Sequence, residues 1–185
     1  MKHNQKIVIS GGPGSGKTRL INLLKEDGYP TYEEYSRIII KKGFHKGFKN
    51  YFKEDPNIFS EALFEGRKQQ WESARKLPFF KKKPYVFFDR GIPDIIAYLQ
   101  AQGKNIDSLK EMAKPYVYEH VFLLEPWLEI YHTDSERHET FEEAQNYFNH
   151  IRNTYQKLNG LLHIIPKETP ENRIVFLLNT LGQYE

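Results

Sequence analysis

An α/β fold, with a parallel sheet and helices layered on both faces, is predicted by three observations. Strand-like and helix-like segments alternate along all 185 residues. Two strand-like segments, Tyr85-Val86-Phe87-Phe88 and Val121-Phe122-Leu123-Leu124, are continuous apolar runs, as strands buried on both faces must be. A glycine-rich turn, Gly11-Gly12-Pro13-Gly14-Ser15-Gly16-Lys17-Thr18, joins the first strand to the first helix. It matches Gly-x-x-x-x-Gly-Lys-[Ser/Thr] throughout, the pattern of a phosphate-binding P-loop. Its glycines let backbone N–H groups turn inward toward a polyphosphate. Lys17 reaches the β- and γ-phosphates, and the Thr18 hydroxyl is a ligand for Mg²⁺. All eight residues are candidate nucleotide contacts.

Each element has its own justification. Lys6 to Ser10 is a short apolar run of strand type. Arg19 to Asp27 carries Leu20, Ile21, Leu23 and Leu24 at helical spacing, and the positive end of that helix faces the phosphates. Pro30 to Glu33 reads as a second strand and Tyr35 to Lys42 as a helix. Lys41 to Lys53 mixes five lysines with Phe44, Phe48, Tyr51 and Phe52, and reads as a loop or mobile insert. Asp55-Pro56 starts a helix that runs to about Lys76, with Asp as cap and Pro in the first turn. Tyr85 to Phe88 is the third strand, ending at Asp89. Ile92, Ile95, Ile96 and Leu99 share one helical face. His120 to Leu124 is the fourth strand. Residues 139–158 form a long helix, with Phe141, Ala144, Phe148, Ile151, Tyr155 and Leu158 stepping by three and four. Leu161 to Ile165 is the fifth strand, and Thr169-Pro170-Glu171 opens a last helix. The expectation is one domain over 1–185: a three-layer P-loop sandwich on five parallel strands, with an insert at about 41–76. The ligand should lie beyond the carboxyl ends of the strands.

Composition narrows the classes. The 13 Phe, 12 Tyr and 2 Trp argue against disorder. Without cysteine there is neither disulfide nor thiolate metal site. No apolar run approaches a membrane span, and Met1 to Gln5 leads into a strand without a signal-peptide core, so the expected location is cytoplasmic. A net charge of +3 does not demand nucleic acid. Lys81-Lys82-Lys83 reads as a solvated loop.

Asp89 follows an apolar strand at the Walker B position, placed to hold Mg²⁺; the competing reading is a helix cap. The next residue is Arg90. A water-activating enzyme would favour Glu there, whereas Arg suits charge stabilisation in phosphoryl transfer. The Asn-Lys-x-Asp guanine motif is missing, since Lys104-Asn105-Ile106-Asp107 has the wrong order. This weakens the GTPase-switch reading and leaves GTP open beside ATP.

Together the P-loop, Glu34-x-x-Arg37, Phe87-Phe88-Asp89-Arg90-Gly91-Ile92-Pro93-Asp94 with Ala97-Tyr98-Leu99, Val121 to Glu125 with Pro126-Trp127, and Tyr131-x-Thr133-Asp134-x-Glu136-Arg137 resemble one family. It is the AAA-domain-like family of predicted ATPases. The sequence is also similar to the nicotinamide-riboside kinase domain of NadR and to the nucleotide-binding domain of TRPL translocation defect proteins. The resemblance spans nearly the whole chain and implies a kinase-like domain rather than a motor.

It also implies roles. Glu34, past the second strand, would take the proton of an acceptor hydroxyl, with Glu33 open as the alternative. Arg37 would bind an acceptor phosphate or pair with Glu34. Phe59, Leu63, Arg67 and Gln70 lie along one side of their helix and form an acceptor wall or a stripe running into solvent. Asp94 would bind a sugar hydroxyl or favour its own helix N-terminus. Residues 125–138 form a lid whose Arg137 closes over the transferring phosphate, with His132 and His138 as surface residues. Pro166 to Thr169 occupy the adenine-contacting position, and Ser10 and Gly91 stand behind the site. The expected function is Mg²⁺-dependent transfer of the ATP γ-phosphoryl group to a nucleoside- or nucleotide-like acceptor, with Lys17, Glu34, Arg90 and Arg137 catalytic. The rivals are a nucleotide switch acting through a protein partner and, through the 41–53 segment, a nucleic-acid end kinase.

Overall fold

A computed structural model describes residues 2–45, 56–130, 140–158 and 161–182. Five strands form one parallel sheet in the order β2-β3-β1-β4-β5. They are β1 (Gln5–Gly11), β2 (Thr31–Tyr32), β3 (Tyr85–Asp89), β4 (His120–Leu124) and β5 (Leu161–Ile165). The helices are α1 (Lys17–Glu26), α2 (Tyr35–His45), α3 (Pro56–Arg75), α4 (Pro93–Ala101), α5 (Asp107–Ala113), α6 (Phe141–Lys157) and α7 (Pro170–Thr180), with a 3₁₀ turn at Leu128–Ile130. Among the described residues no helix is long and apolar enough to cross a membrane.

The central strands are buried on both faces, and their side chains alternate between two cores. Ile7 and Ile9 of β1, Phe87 of β3 and Phe122 of β4 point toward α1 and α7, packing with Leu20, Leu24, Leu177 and Leu178. Val8, Val86, Phe88, Val121 and Leu123 point the other way, against Trp71 of α3, Ala97 of α4 and Phe148, Ile151 and Tyr155 of α6. A third cluster joins Ile39 of α2, Phe59, Leu63 and Phe64 of α3 and Ile92, Ile95, Ile96 and Leu99 around α4. Close approach of α2 and α3 depends on Gly66, where an added Cβ would lie 1.8 Å from Cε1 of Tyr35.

The register sets the site. Ile9 pairs with Asp89, and Gly11 pairs with Leu124. The carboxyl ends of β1, β3 and β4 therefore finish side by side. The order reverses at β1, whose neighbours are both later strands, which is where a parallel sheet opens a ligand crevice.

The elements differ from expectation at three places. β2 is only Thr31–Tyr32, shorter than Pro30 to Glu33, because it is an edge strand paired to β3 alone. α6 begins at Phe141, set by a capping box in which the Thr140 hydroxyl accepts from the Glu143 N–H and the Glu143 carboxylate accepts from the Thr140 N–H. The short helix α5 was not foreseen; of its residues only Ala113 is buried, so it carries little apolar periodicity. Residues 46–55 of the expected insert, including Asp55, lie outside the described residues, as do residues 131–138 of the expected lid and Glu139 at the expected start of the long helix.

Candidate active site

The crevice is an open cleft of about 1030 Å³ above the carboxyl ends of the strands. Its donor side is the P-loop. Gly14 and Gly16 sit at φ 73° and 91°, the left-handed region that glycine enters at no steric cost. Ser15 donates to the Gly12 carbonyl at 2.9 Å. Lys17 Nζ folds back over the same loop, donating to Gly12 O at 2.6 Å and Ser15 Oγ at 3.2 Å. Burial, reinforced by the Arg90 guanidinium, lowers the Lys17 pKa to about 7, against the pull of Asp89, Glu34 and Asp94. An anion in the loop would reverse that shift by favouring the charged ammonium.

Thr18 and Asp89 line the same cleft. Asp89 is buried, and its Oδ1 has no hydrogen-bond partner. Burial, then the neighbouring Glu34 carboxylate, raises its pKa to about 6. A buried carboxylate oxygen with nothing to bind, in the same cleft as a threonine hydroxyl, fits a divalent cation. No cluster of three His, Cys, Asp or Glu side chains occurs among the described residues. One carboxylate and one hydroxyl suit Mg²⁺, which keeps several waters and shares substrate phosphates. The Thr18 hydroxyl accepts from Arg37 Nη2 at 3.3 Å.

The acceptor side centres on Glu34, at the N-terminal edge of α2. Its carboxylate is gripped by two arginines from different elements. Arg67 of α3 donates to Oε1 at 2.6 Å, and Arg90 Nε pairs with Oε2. Arg67 also donates to Gly91 O at 2.8 Å. Burial would push the Glu34 carboxyl up, but Arg67 and Arg90 outweigh it and hold the pKa at about 2. Glu34 faces the cleft. Glu33 points to solvent and pairs with Lys25 at 3.0 Å, which decides between the two.

Arg90 has φ 71°, a left-handed conformation costing a non-glycine residue on the order of 1 kcal/mol. It is held by Glu34, by Asp94 Oδ1 at 3.3 Å and by the face of Tyr147, whose ring centroid lies 5.9 Å from the guanidinium. Asp94 is 1 % exposed. Its Oδ1 accepts from Ser10 Oγ and Arg90; its Oδ2 accepts from Gly91 N at 2.9 Å and Tyr155 OH at 2.5 Å. A carboxylate offers about four acceptor sites. All are occupied, so Asp94 fixes the turn after β3 and has no lone pair left for a sugar hydroxyl.

Of the expected acceptor contacts, Phe59, Leu63, Arg67, Arg37 and Asp94 line the cleft. Gln70 does not; one turn further along α3, it donates to the Glu33 carbonyl at 2.9 Å. Arg137, His132 and His138 lie outside the described residues. The structure adds a wall that the sequence reading missed: Tyr98 of α4 and Asn146 and Tyr147 of α6. Tyr98 and Tyr147 meet edge to face at 6.0 Å. Tyr155 was legible as a core position of α6, but its hydroxyl bond to Asp94 was not, because period-3.6 reasoning assigns a face and not a polar tip.

A P-loop between β1 and α1, an acid at the end of β3 and a second acid across the cleft define a P-loop domain with the α/β fold of nucleoside and nucleotide kinases. The chain belongs to the AAA-domain family, whose model matches residues 6–173. The fold likeness is specific. Deoxyadenosine kinase from M. mycoides, with products dCMP and a flexible dCDP bound, superposes with a TM-score of 0.67 over 97% of this chain and 100% of that chain, at 15% identity. The same enzyme with bound dATP gives 0.66 over 96% and 99%, also at 15% identity. Thymidylate kinase from Ehrlichia chaffeensis gives 0.66 over 97% and 99%, at 17% identity. At such identities the likeness concerns the fold. No curated protein matches the sequence.

Proposed function

We propose that this protein is an ATP-binding, Mg²⁺-dependent kinase that transfers the γ-phosphoryl group to a hydroxyl of a nucleoside- or nucleotide-like acceptor. The observation that carries the reading is the Glu34 carboxylate clamped by Arg67 and Arg90 in the same cleft as Lys17 and Asp89. ATP-driven motors normally place a Glu after the acid of the strand to activate water, and the residue after Asp89 is Arg90. Deoxyadenosine kinase, which shares this fold, is seen with dATP and with dCMP and dCDP, which supports a nucleotide-like ligand in the cleft here.

The residues divide the work. Lys17 and the P-loop N–H groups bind the triphosphate. Thr18 and Asp89 would hold Mg²⁺, which when bound neutralises and orients the phosphates. The acceptor lies against Phe59, Leu63 and Tyr98 with its hydroxyl at Glu34. Its oxygen forms the new bond to the γ-phosphorus as the bond to the β–γ bridging oxygen breaks, leaving that electron pair on ADP. The hydroxyl proton passes to Glu34. With a pKa near 2, Glu34 is ionised and ready to accept, but a weak base. It therefore takes the proton late, once bond formation has acidified the hydroxyl. Arg90 spans Glu34 and Asp94 and supplies positive charge where the transferring group develops negative charge.

The test is ADP formation with Mg²⁺-ATP across a panel of nucleosides, nucleotides and nicotinamide riboside, with the phosphorylated product identified by mass. One acceptor or more should raise ADP formation well above background. Glu34→Gln should lower that rate at least 100-fold, while calorimetric ATP affinity stays near the parent value. If no acceptor stimulates and Glu34→Gln matches the parent, the nucleotide-switch reading wins. Phosphorylation of RNA or DNA ends alone would replace the small-molecule acceptor.

A further inference from the structure

Arg173, on the first turn of α7, lies outside the cleft lining, yet touches the P-loop. It is 3 % exposed. Its Nη1 donates to the Ser15 carbonyl at 2.8 Å, and its guanidinium lies 5.2 Å from the centroid of the Trp127 ring. Its Nε is buried without a hydrogen-bond partner. No acid forms an ion pair with it among the described residues; Glu168 is the acid whose charge acts on it, without pairing.

Two readings compete. In the first, Arg173 only fills space under Trp127. An unpaired cation held out of water is an expensive filler, since its desolvation is repaid by no counter-charge and an apolar residue of similar volume packs without that cost. In the second, the charge and the bond to the loop are the reason for the residue. A trans peptide points its C=O and N–H in opposite directions, and the described chain has no cis peptide. With the Ser15 carbonyl tied outward to Arg173, the Gly16 N–H of the same peptide is aimed the other way. Gly16 lines the cleft and Arg173 does not. Gly16 also leaves room for the arginine, because a Cβ there would come within 3.2 Å of Nη1.

We infer that Arg173 is a positioning residue for the phosphate site: it fixes the Ser15–Gly16 peptide so that its N–H faces a bound polyphosphate, and adds a positive charge behind the loop, with Trp127 as its clamp. This rests on the reading of residues 11–18 as a phosphate loop. It makes α7 part of the triphosphate site, although α7 contributes nothing to the cleft wall. Arg173 touches no substrate. It acts through the loop, and its effect should fall on phosphate affinity rather than on the acceptor.

The experiment uses the full chain with Trp71→Phe, leaving Trp127 as the one indole of the two in the sequence. Inorganic triphosphate with Mg²⁺ is the probe, titrated into the parent, Arg173→Lys, Arg173→Met and Lys17→Ala. Affinity is read by calorimetry and by Trp127 emission, and ligand-free unfolding is followed for each. Arg173→Met should weaken triphosphate binding at least tenfold and abolish the emission change. Arg173→Lys keeps the charge without the planar grip and should fall between. Variants that melt lower yet bind triphosphate with parental affinity would overturn the inference and leave Arg173 as packing. A parent that binds no triphosphate, or a Lys17→Ala variant that binds it as the parent does, would instead bring down the phosphate-loop reading itself.

Discussion

Asp89 and Glu34 are two buried carboxylates in one cleft, and their surroundings push them in opposite directions. Two arginines hold Glu34 at a pKa of about 2, while burial and Glu34 itself raise Asp89 to about 6. The signs for stability are therefore opposite. The Glu34 contribution is present above the ordinary carboxylate range and is lost as pH falls toward 2. The Asp89 contribution is present below pH 4 and is lost as pH rises through 6, because the fold then carries a buried charge that Lys17 and Arg90 offset only in part. At neutral pH without metal, Asp89 should cost up to about 3 kcal/mol at 1.4 kcal/mol per pKa unit. Asp89→Asn should accordingly melt higher than the parent at pH 7.5 in chelator, and the gain should vanish at pH 4. Mg²⁺ with nucleotide should raise the parent's melting temperature far more than the variant's. Equal responses to Mg²⁺ would make Asp89 a cap and nothing more. The residues carrying this argument were legible because they are contiguous: a P-loop is eight neighbouring positions, and Asp89-Arg90 follows an unbroken apolar run. The clamp on Glu34 was not legible, since it joins α2, α3 and the turn after β3, and a one-dimensional pattern gives no distance between them.

At the scale of elements, apolar patterning together with helix-start signals located the five strands and all the long helices. It missed α5, where burial is slight, and overran the bounds of β2, where pairing is one-sided. It also gave no account of why α2 and α3 lie against each other. Gly66 supplies one. A side chain there would run into the ring of Tyr35, the residue next to Glu34. Gly66→Ala should therefore do more than gain helix propensity. The collision should cost about 1–3 kcal/mol as an overpacked contact and push α2 outward with its carboxylate. The expected signature is a raised KM for the acceptor with ATP affinity nearly unchanged, because the P-loop hangs from β1 and α1. In a Tyr35→Leu background the same substitution should be far milder. If Gly66→Ala costs the same in both backgrounds, the contact does not set the spacing of the two helices.

Across the whole molecule the layers meet at Asp94. One carboxylate ties Ser10 of β1, Arg90 and Gly91 after β3, and Tyr155 of α6, so the central strand, the catalytic turn and an outer helix share a single acceptor. Tyr155 is fully buried, and burial together with Asp94 keeps its hydroxyl protonated well beyond its usual range, which makes it a permanent donor. Asp94→Asn would present an NH₂ group to two of four donors and leave Arg90 short of a counter-charge. Breaking a buried charged contact in this way typically costs 3–5 kcal/mol. Tyr155→Phe removes one bond to a charged acceptor and should cost about 1.5–3 kcal/mol. Because both act on the same four-way junction, the double variant should lose less than the two single losses added, with a coupling of about 0.5–3 kcal/mol in denaturant unfolding. Activity should separate them as well. Asp94→Asn removes one of the two carboxylate charges that hold Arg90 and should lower kcat more than ATP affinity, whereas Tyr155→Phe leaves the Arg90 contact intact and should change stability first. Strict additivity in the cycle, with kcat equal in both variants, would mean that Asp94 merely caps α4 and that the layers are joined elsewhere.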